Sequence, residues 1–226
     1  MSIKRIAWNG KWPKVQVALD VIHLKDALRI AKAANRAGVE WIEAGTPLIK
    51  NEGMRSVKEL KRALPAAVVV ADMKTLDAGA IETEIAFEAG ADIVSISGLA
   101  HDSTIKGSAR VKDRYNRRLM VDLLMTRSPV LRAREVERLG ADIICLHTGV
   151  DAQKSMRSKL KLSPALSTLA RTLKVPLAAA GGINPRLAPK LAAAGVKVLI
   201  VGGWITGSED PYRAALDVVD SLRAEV

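Results

Sequence analysis

Cysteine occurs once in this chain of 226 residues, at Cys145 inside an apolar run. A single cysteine excludes an intramolecular disulfide and fits a reducing compartment, so a cytoplasmic protein is expected. Aromatic residues make up only 3% of the chain, poor equipment for stacking nucleic-acid bases. No segment offers the roughly 18 consecutive apolar residues of a membrane span, and the opening MSIKRIAWNGKWPK has no apolar signal-peptide core. Linkers, low-complexity stretches and composition breaks are lacking too, so residues 1–226 read as one domain with a large core. Acidic residues are outnumbered, leaving a formal charge of +11. Many bases alternate with acids on helical stretches, as in Lys58, Glu59, Lys61 and Arg62, which reads as a solvated face. The excess also suits attraction of a phosphorylated small molecule. Neither nucleic acid nor a membrane is expected as a partner.

What the chain does have is a phrase repeated four times: Ala37-Gly38-Val39-Glu40, Ala89-Gly90-Ala91-Asp92, Leu139-Gly140-Ala141-Asp142 and Ala194-Gly195-Val196-Lys197. Its glycines stand 52, 50 and 55 residues apart. A glycine directly after a helical pattern is a C-terminal cap that tolerates positive φ, and the apolar run behind it is a buried strand. Four further apolar runs lie between these, beginning near Val15, Ala67, Leu119 and Val175. Eight strand-like runs alternating with eight helical patterns, about 26 residues per unit, predict a closed (β/α)8 TIM barrel at the small end of its range. A doubly wound open sheet is the alternative, but it does not require eight evenly spaced units. Ser128-Pro129, Ser163-Pro164, Asn184-Pro185 and Asp210-Pro211 each place a capping side chain before a proline, as at helix starts. Leu24, Ala27, Leu28 and Ala31 show helical apolar spacing.

Barrel enzymes keep their chemistry where the strands end. The eight runs end in Asp20, Glu43, Asp72 with Lys74, Ser97-Gly98, Asp122, His147, Gly181-Gly182 and Gly202-Gly203. Charged groups finishing apolar strands are costly to bury unless paired or metal-bound, so their convergence points to a site. In an extended strand Asp72 and Lys74 lie on one side, and a lysine beside carboxylates stays protonated and can neutralise developing negative charge. Asp77 follows, near the next helix. Glu43 and Asp72, on adjacent strands, make a hard-oxygen pair suited to Mg²⁺. His147 alone of the three histidines stands at a strand end and suits proton transfer near neutrality. His23 and His101 fall in loop or helix-start contexts. The two glycine pairs present bare backbone N–H groups where many barrels bind phosphate.

These residues resemble the orotidine monophosphate decarboxylase suprafamily. The carriers are Asp72-x-Lys74-x-x-Asp77, Asp20 in VALD, Glu43 in EAGTPLIKNEG and His147 in HTGVDAQ, and the likeness runs from about Val15 to the C-terminus. They look like the branch holding 3-keto-L-gulonate 6-phosphate decarboxylase and 3-hexulose-6-phosphate synthase. The decarboxylases carry glutamate, arginine, threonine and arginine where this chain has Asp122, Val150, Ala180 and Gly203, so it reads with the synthases. A synthase has no substrate carboxylate for those arginines to hold.

The resemblance implies a mechanism. Ribulose 5-phosphate binds with its phosphate on the Gly182 and Gly203 backbone, beside Ala180, Gly181 and Gly202. Mg²⁺ is held by Glu43 and Asp72. A C1 proton leaves to His147, Lys74 stabilises the resulting 1,2-enediolate, and Asp20 and Asp122 orient hydroxyls or the lysine. The enediolate attacks formaldehyde to give hex-3-ulose 6-phosphate, and the reverse reaction uses the same groups. Asp77 is expected to reach the neighbouring subunit's site in a homodimer, and a separate hexulose-phosphate isomerase is an expected partner. The decarboxylase is the closest rival. A non-catalytic, basic, nucleic-acid-binding barrel is the rival of another class, and it leaves the convergent carboxylates and lysine without a role.

Overall fold

The structure, a computed structural model, describes residues 13–155 and 163–223. Eight parallel strands close on one another in sequence order, with β1 paired to β8. The strands are β1 (Lys14–Leu19), β2 (Trp41–Ala44), β3 (Val68–Thr75), β4 (Ile93–Ser97), β5 (Arg118–Asp122), β6 (Ile143–His147), β7 (Leu177–Ala180) and β8 (Val198–Val201). The helices outside them are α1 (Leu24–Arg36), α2 (Thr46–Glu52), α3 (Arg55–Ala63), α4 (Gly79–Glu88), α5 (Asp102–Arg114), α6 (Pro129–Arg138), α7 (Val150–Ser155), α8 (Pro164–Thr172), α9 (Ala188–Ala193), α10 (Gly203–Thr206) and α11 (Pro211–Arg223). The expected (β/α)8 barrel is therefore present. Short extra helices α2, α7 and α10 sit between a strand end and the longer helix that follows.

Side-chain alternation along each strand separates two cores. Val15, Val17 and Leu19 of β1 pack outward against helices, whereas Ala18 faces the barrel interior with Trp41, Val70 and Met120. All four repeated glycines end helices with positive φ, at 98°, 104°, 107° and 99°, so the phrase caps as its spacing predicts. Ser163 caps α8 by accepting from the Leu166 N–H, and Asp210 caps α11 by accepting from the Arg213 N–H. Asn184 accepts from Arg186 and Leu187, but the regular helix begins only at Ala188, so this proline opens a turn. Ser128 precedes α6 without a side-chain cap.

The acidic residue of the phrase has a second task. Asp92 accepts from the Val69 N–H at 2.9 Å and Lys61 Nζ at 2.7 Å, and also pairs with Arg117. Asp142 repeats the lock one βαβ unit pair later, accepting from the Leu119 N–H and from Lys112 Nζ, both at 2.9 Å. Each carboxylate ties the start of one strand to the strand two places earlier in the chain order of helix and sheet. Lys112 is buried, so removing Asp142 leaves it only the longer, exposed pairing with Asp113 at 3.4 Å and leaves a backbone donor unpaired. Asp142→Ala is expected to cost about 2–3 kcal/mol of stability, read as a lower urea midpoint at unchanged slope. An unmoved midpoint would show that the lock contributes nothing.

Candidate active site

The mouth of the barrel is built from strand ends. β3 runs past Asp72 to Thr75, and its pairing with β4 slips there: Asp72 lies opposite Ser95, and the next pair is Thr75 with Ile96. Lys74 sits in the slipped stretch at φ 48°. The expectation of a regular extended strand through Lys74 is thereby corrected: a bulge with a left-handed residue re-aims the side chain. Lys74 Nζ donates to both Asp72 oxygens, at 2.8 and 2.7 Å, and lies 3.0 Å from Asp122 Oδ2. Burial works against the lysine's charge, but the Asp72 and Asp122 carboxylates outweigh it and hold the ammonium well above the usual lysine range.

Asp122 ends β5 and is buried. Its Oδ2 also contacts His147 Nδ1 at 2.8 Å, and its Oδ1 accepts from the Leu124 N–H at 2.9 Å. Burial raises its carboxyl, yet the His147 hydrogen bond and charge, with the Lys74 charge, bring it below the usual carboxylate range. An ionised carboxylate can only accept, so His147 donates through Nδ1 and leaves Nε2 available. Asp72, Lys74, Asp122 and His147 are thus one hydrogen-bonded chain across β3, β5 and β6.

A second group of carboxylates lies beside it. Glu43, on the inner face of β2, is buried and hydrogen-bonded to the Gln16 amide. Burial pushes its carboxyl well above the usual range, with the Asp72 and Asp20 charges adding to the effect. Asp20 opens to solvent at the end of β1, but the protein crowded around it and the Asp72 charge also hold it high. Its room comes from glycines: a Cβ on Gly45 would stand 2.4 Å from Asp20 Oδ1, and one on Gly202 would stand 3.4 Å from Oδ2. Thr46 Oγ1 lies 2.7 Å from Asp72 Oδ2 and 2.9 Å from the Asp72 carbonyl oxygen, steadying that carboxylate from α2.

The glycine pairs differ from each other. Gly181 and Gly182 both have positive φ, 119° and 68°, and a Cβ on Gly181 would meet the Thr148 carbonyl oxygen at 2.5 Å. Gly202 precedes α10, and a side chain on Gly203 would meet nothing within 4 Å. Ala180 is buried on β7 opposite His147. Asp77 does not join the cluster: it lies exposed in the turn between β3 and α4. His23 stands at the N-cap position of α1, and His101 caps α5 by accepting from the Ser103 N–H, so both are helix-start residues.

Four carboxylates share this mouth with one lysine and one imidazole. Glu43 is crowded by two like charges, a strain that a bound cation would relieve. Among the described residues no three metal-ligating side chains converge on one point. Such a donor set fits Mg²⁺, which binds through one or two carboxylates and takes its other oxygens from substrate and water.

Gln16, Gly45 and Thr46 escaped the sequence reading. Gln16 had a usable signal: it shares strand parity with Asp20 and so faces inward. Gly45 and Thr46 lie within the EAGTPLIKNEG stretch, but their contacts with Asp20 and Asp72 were not legible, because those partners are 25 and 26 residues distant in sequence.

Comparison with known proteins follows the same lines. The 3-hexulose-6-phosphate synthase of Mycobacterium gastri is 40% identical over 206 residues, covering 91% of this chain and 97% of the relative. A crystal structure of 3-hexulose-6-phosphate synthase superposes with a TM-score of 0.87 at 39% identity, covering 92% of this chain and 99% of the other. A 3-keto-L-gulonate-6-phosphate decarboxylase structure from Vibrio cholerae gives 0.82 at 30% identity, covering 95% and 99%. The family model for orotidine 5'-phosphate decarboxylase / HUMPS matches residues 13–218, and with strand-end carboxylates, lysine and histidine in the places described, the chain belongs to the orotidine 5'-phosphate decarboxylase / HUMPS family.

Proposed function

We propose that this protein is a carbon–carbon lyase that joins formaldehyde to ribulose 5-phosphate, giving hex-3-ulose 6-phosphate, or runs the same reaction in reverse. The observation that carries the reading is the bonded chain from Asp72 through Lys74 and Asp122 to His147. It sets a permanent cation and an imidazole with a free Nε2 at one mouth. His147 Nε2 takes the C1 proton of ribulose 5-phosphate, and the C1–H electron pair becomes the enediolate. Lys74 faces the charge that develops on the enediolate oxygens, a preorganised stabilisation. Carbon C1 of the enediolate bonds to the formaldehyde carbon as the C2 ketone re-forms, and formaldehyde's oxygen, now an alkoxide, takes a proton from His147. Asp20 and Asp122 orient hydroxyls and the lysine.

Mg²⁺, held by Glu43 and Asp72, would supply Lewis-acid polarisation of the substrate's oxygens. The phosphate lies on the backbone of Gly182 and Gly203, with Ala180, Gly181 and Gly202 shaping its surroundings. Val150 and Gly203 favour the synthase reading, since the first is an exposed apolar residue and the second leaves open space. Neither supplies a cation for a substrate carboxylate.

A homodimer completes the site in this reading. Asp77 is exposed beside exposed Leu76, and Ile81 and Ile85 line the outer side of α4 one turn apart. Such an apolar surface suits a second copy of the chain, which would bring Asp77 to its partner's mouth. A 3-ketohexose phosphate product calls for a separate isomerase. No helix among the described residues is long and apolar enough to cross a membrane, and the buried thiol of Cys145 suits the cytoplasm.

The test is formaldehyde consumption with ribulose 5-phosphate. Consumption is expected with Mg²⁺, is lost with a chelator and returns when Mg²⁺ is added in excess. Carbon dioxide release from 3-keto-L-gulonate 6-phosphate, with no formaldehyde consumed, would reassign the protein to the decarboxylases.

A further inference from the structure

Gln16 is a polar residue with no exposed surface, set in the barrel interior between apolar neighbours on both adjacent strands and the buried carboxyl of Glu43. On β1 it lies in register with Trp41 of β2 and Ile200 of β8. Its Nε2 donates to Glu43 Oε2, while its Oε1 has no hydrogen-bond partner among the described residues. A buried carbonyl oxygen left unpaired destabilises a fold, and an apolar side chain of similar volume would avoid that cost. The amide orientation explains the orphan. With Nε2 turned toward Glu43 Oε2, Oε1 faces a part of the interior that offers it no donor among the described residues. The amide keeps its donor on Glu43 and leaves its acceptor unsatisfied.

We propose that Gln16 is a positioning residue for Glu43, fixing the carboxylate from inside the barrel so that it presents a set orientation to a divalent cation. A carboxylate turns readily about its last carbon–carbon bond. With one oxygen tied by Gln16, the plane of the group is set relative to Asp72 on the adjacent strand. Groups standing behind a metal ligand and orienting it commonly change affinity by about 10- to 100-fold. The inference rests on the proposed cation site of Glu43 and Asp72, and extends it to a residue that touches neither cation nor substrate.

Mn²⁺ is the probe, with free Mn²⁺ measured by electron paramagnetic resonance. Gln16→Met is expected to weaken Mn²⁺ binding about 10- to 100-fold, while its urea midpoint without metal stays close to the wild type's, the lost Glu43 hydrogen bond being offset by removal of the unpaired carbonyl oxygen. Catalysis should follow the metal: kcat at limiting Mn²⁺ falls and is partly restored at high Mn²⁺, with little change in KM for the sugar phosphate. Gln16→Leu, of different shape, should behave alike. Equal Mn²⁺ affinity in wild type and both variants would overturn the inference while leaving the cation site standing. A loss of affinity accompanied by a lower urea midpoint, or failure of both variants to fold, would make the residue merely structural and also overturn it. Absence of Mn²⁺ binding by the wild type, or binding that Glu43→Gln leaves intact, would overturn the cation site and this inference with it.

Discussion

Lys74→Ala is expected to lower kcat for formaldehyde consumption by about 10²- to 10³-fold, the scale of losing a preorganised group aimed at developing charge. The reason lies in the lysine's two carboxylate partners. Asp72 at 2.7 Å and Asp122 at 3.0 Å hold the ammonium charged against the effect of burial. Lys74 is therefore a fixed positive charge, and the wild-type pH–rate profile should carry no limb from its deprotonation below pH values that denature the protein. Arginine is a poor replacement, because its planar fork does not fit a point-charge position beside a bulge. Alanine also leaves Asp72 and Asp122 without their counter-charge, although Thr46 and His147 still hydrogen-bond to them. The variant should lose about 1–3 kcal/mol at neutral pH. That deficit should shrink as pH falls, because protonating carboxylates removes the unpaired charges in the variant and the ion pairs in the wild type. A fall in kcat below tenfold with the fold intact would mean that Lys74 does not face the reacting oxygens.

Two inactive variants should restore one another. Asp77→Asn and Lys74→Ala, each inactive alone, are expected to regain roughly a quarter of wild-type activity when unfolded together in equal amounts and refolded. In a two-fold dimer with shared sites, random pairing makes half of the dimers mixed, and each mixed dimer holds one site with both Lys74 and Asp77 intact. The structural ground is the exposed position of Asp77 outside its own subunit's cluster, next to the apolar outer side of α4. If Asp77 served the site of its own chain, no pairing would join it to an intact Lys74 and the mixture would stay inactive. Sedimentation of the refolded mixture separates that result from a failure to dimerise.

The barrel was legible because its signals are local. Gly38, Gly90, Gly140 and Gly195 each end a helix through a property of one residue, tolerance of positive φ. Strand ends were legible as the places where apolar runs meet Asp, Glu, Lys and His, and Asp72, Lys74, Asp122 and His147 do form one bonded cluster. The conformation of Lys74 was not legible, since nothing in Asp72-Met73-Lys74-Thr75 marks a bulge: it comes from the slip of β3 against β4. The pairing of Gln16 was not legible either, since only closure of the barrel brings Glu43, 27 residues away, against it.

By itself, then, the sequence determined the eight-fold alternation, the end of the barrel at which the polar groups gather, and the residue types that finish its strands. Period and capping depend on neighbours within a few residues, and the chain states them directly. Only the tertiary structure decided which carboxylate holds which cation, that Asp92 and Asp142 lock the strand starts, and that Asp77 stays outside its own cluster. Those outcomes depend on closure and stagger of the sheet, which set hydrogen-bond distances between residues 20 or more positions apart in the chain. A difference of an ångström there separates a bonded pair from a broken one, and no local pattern of residue types records it.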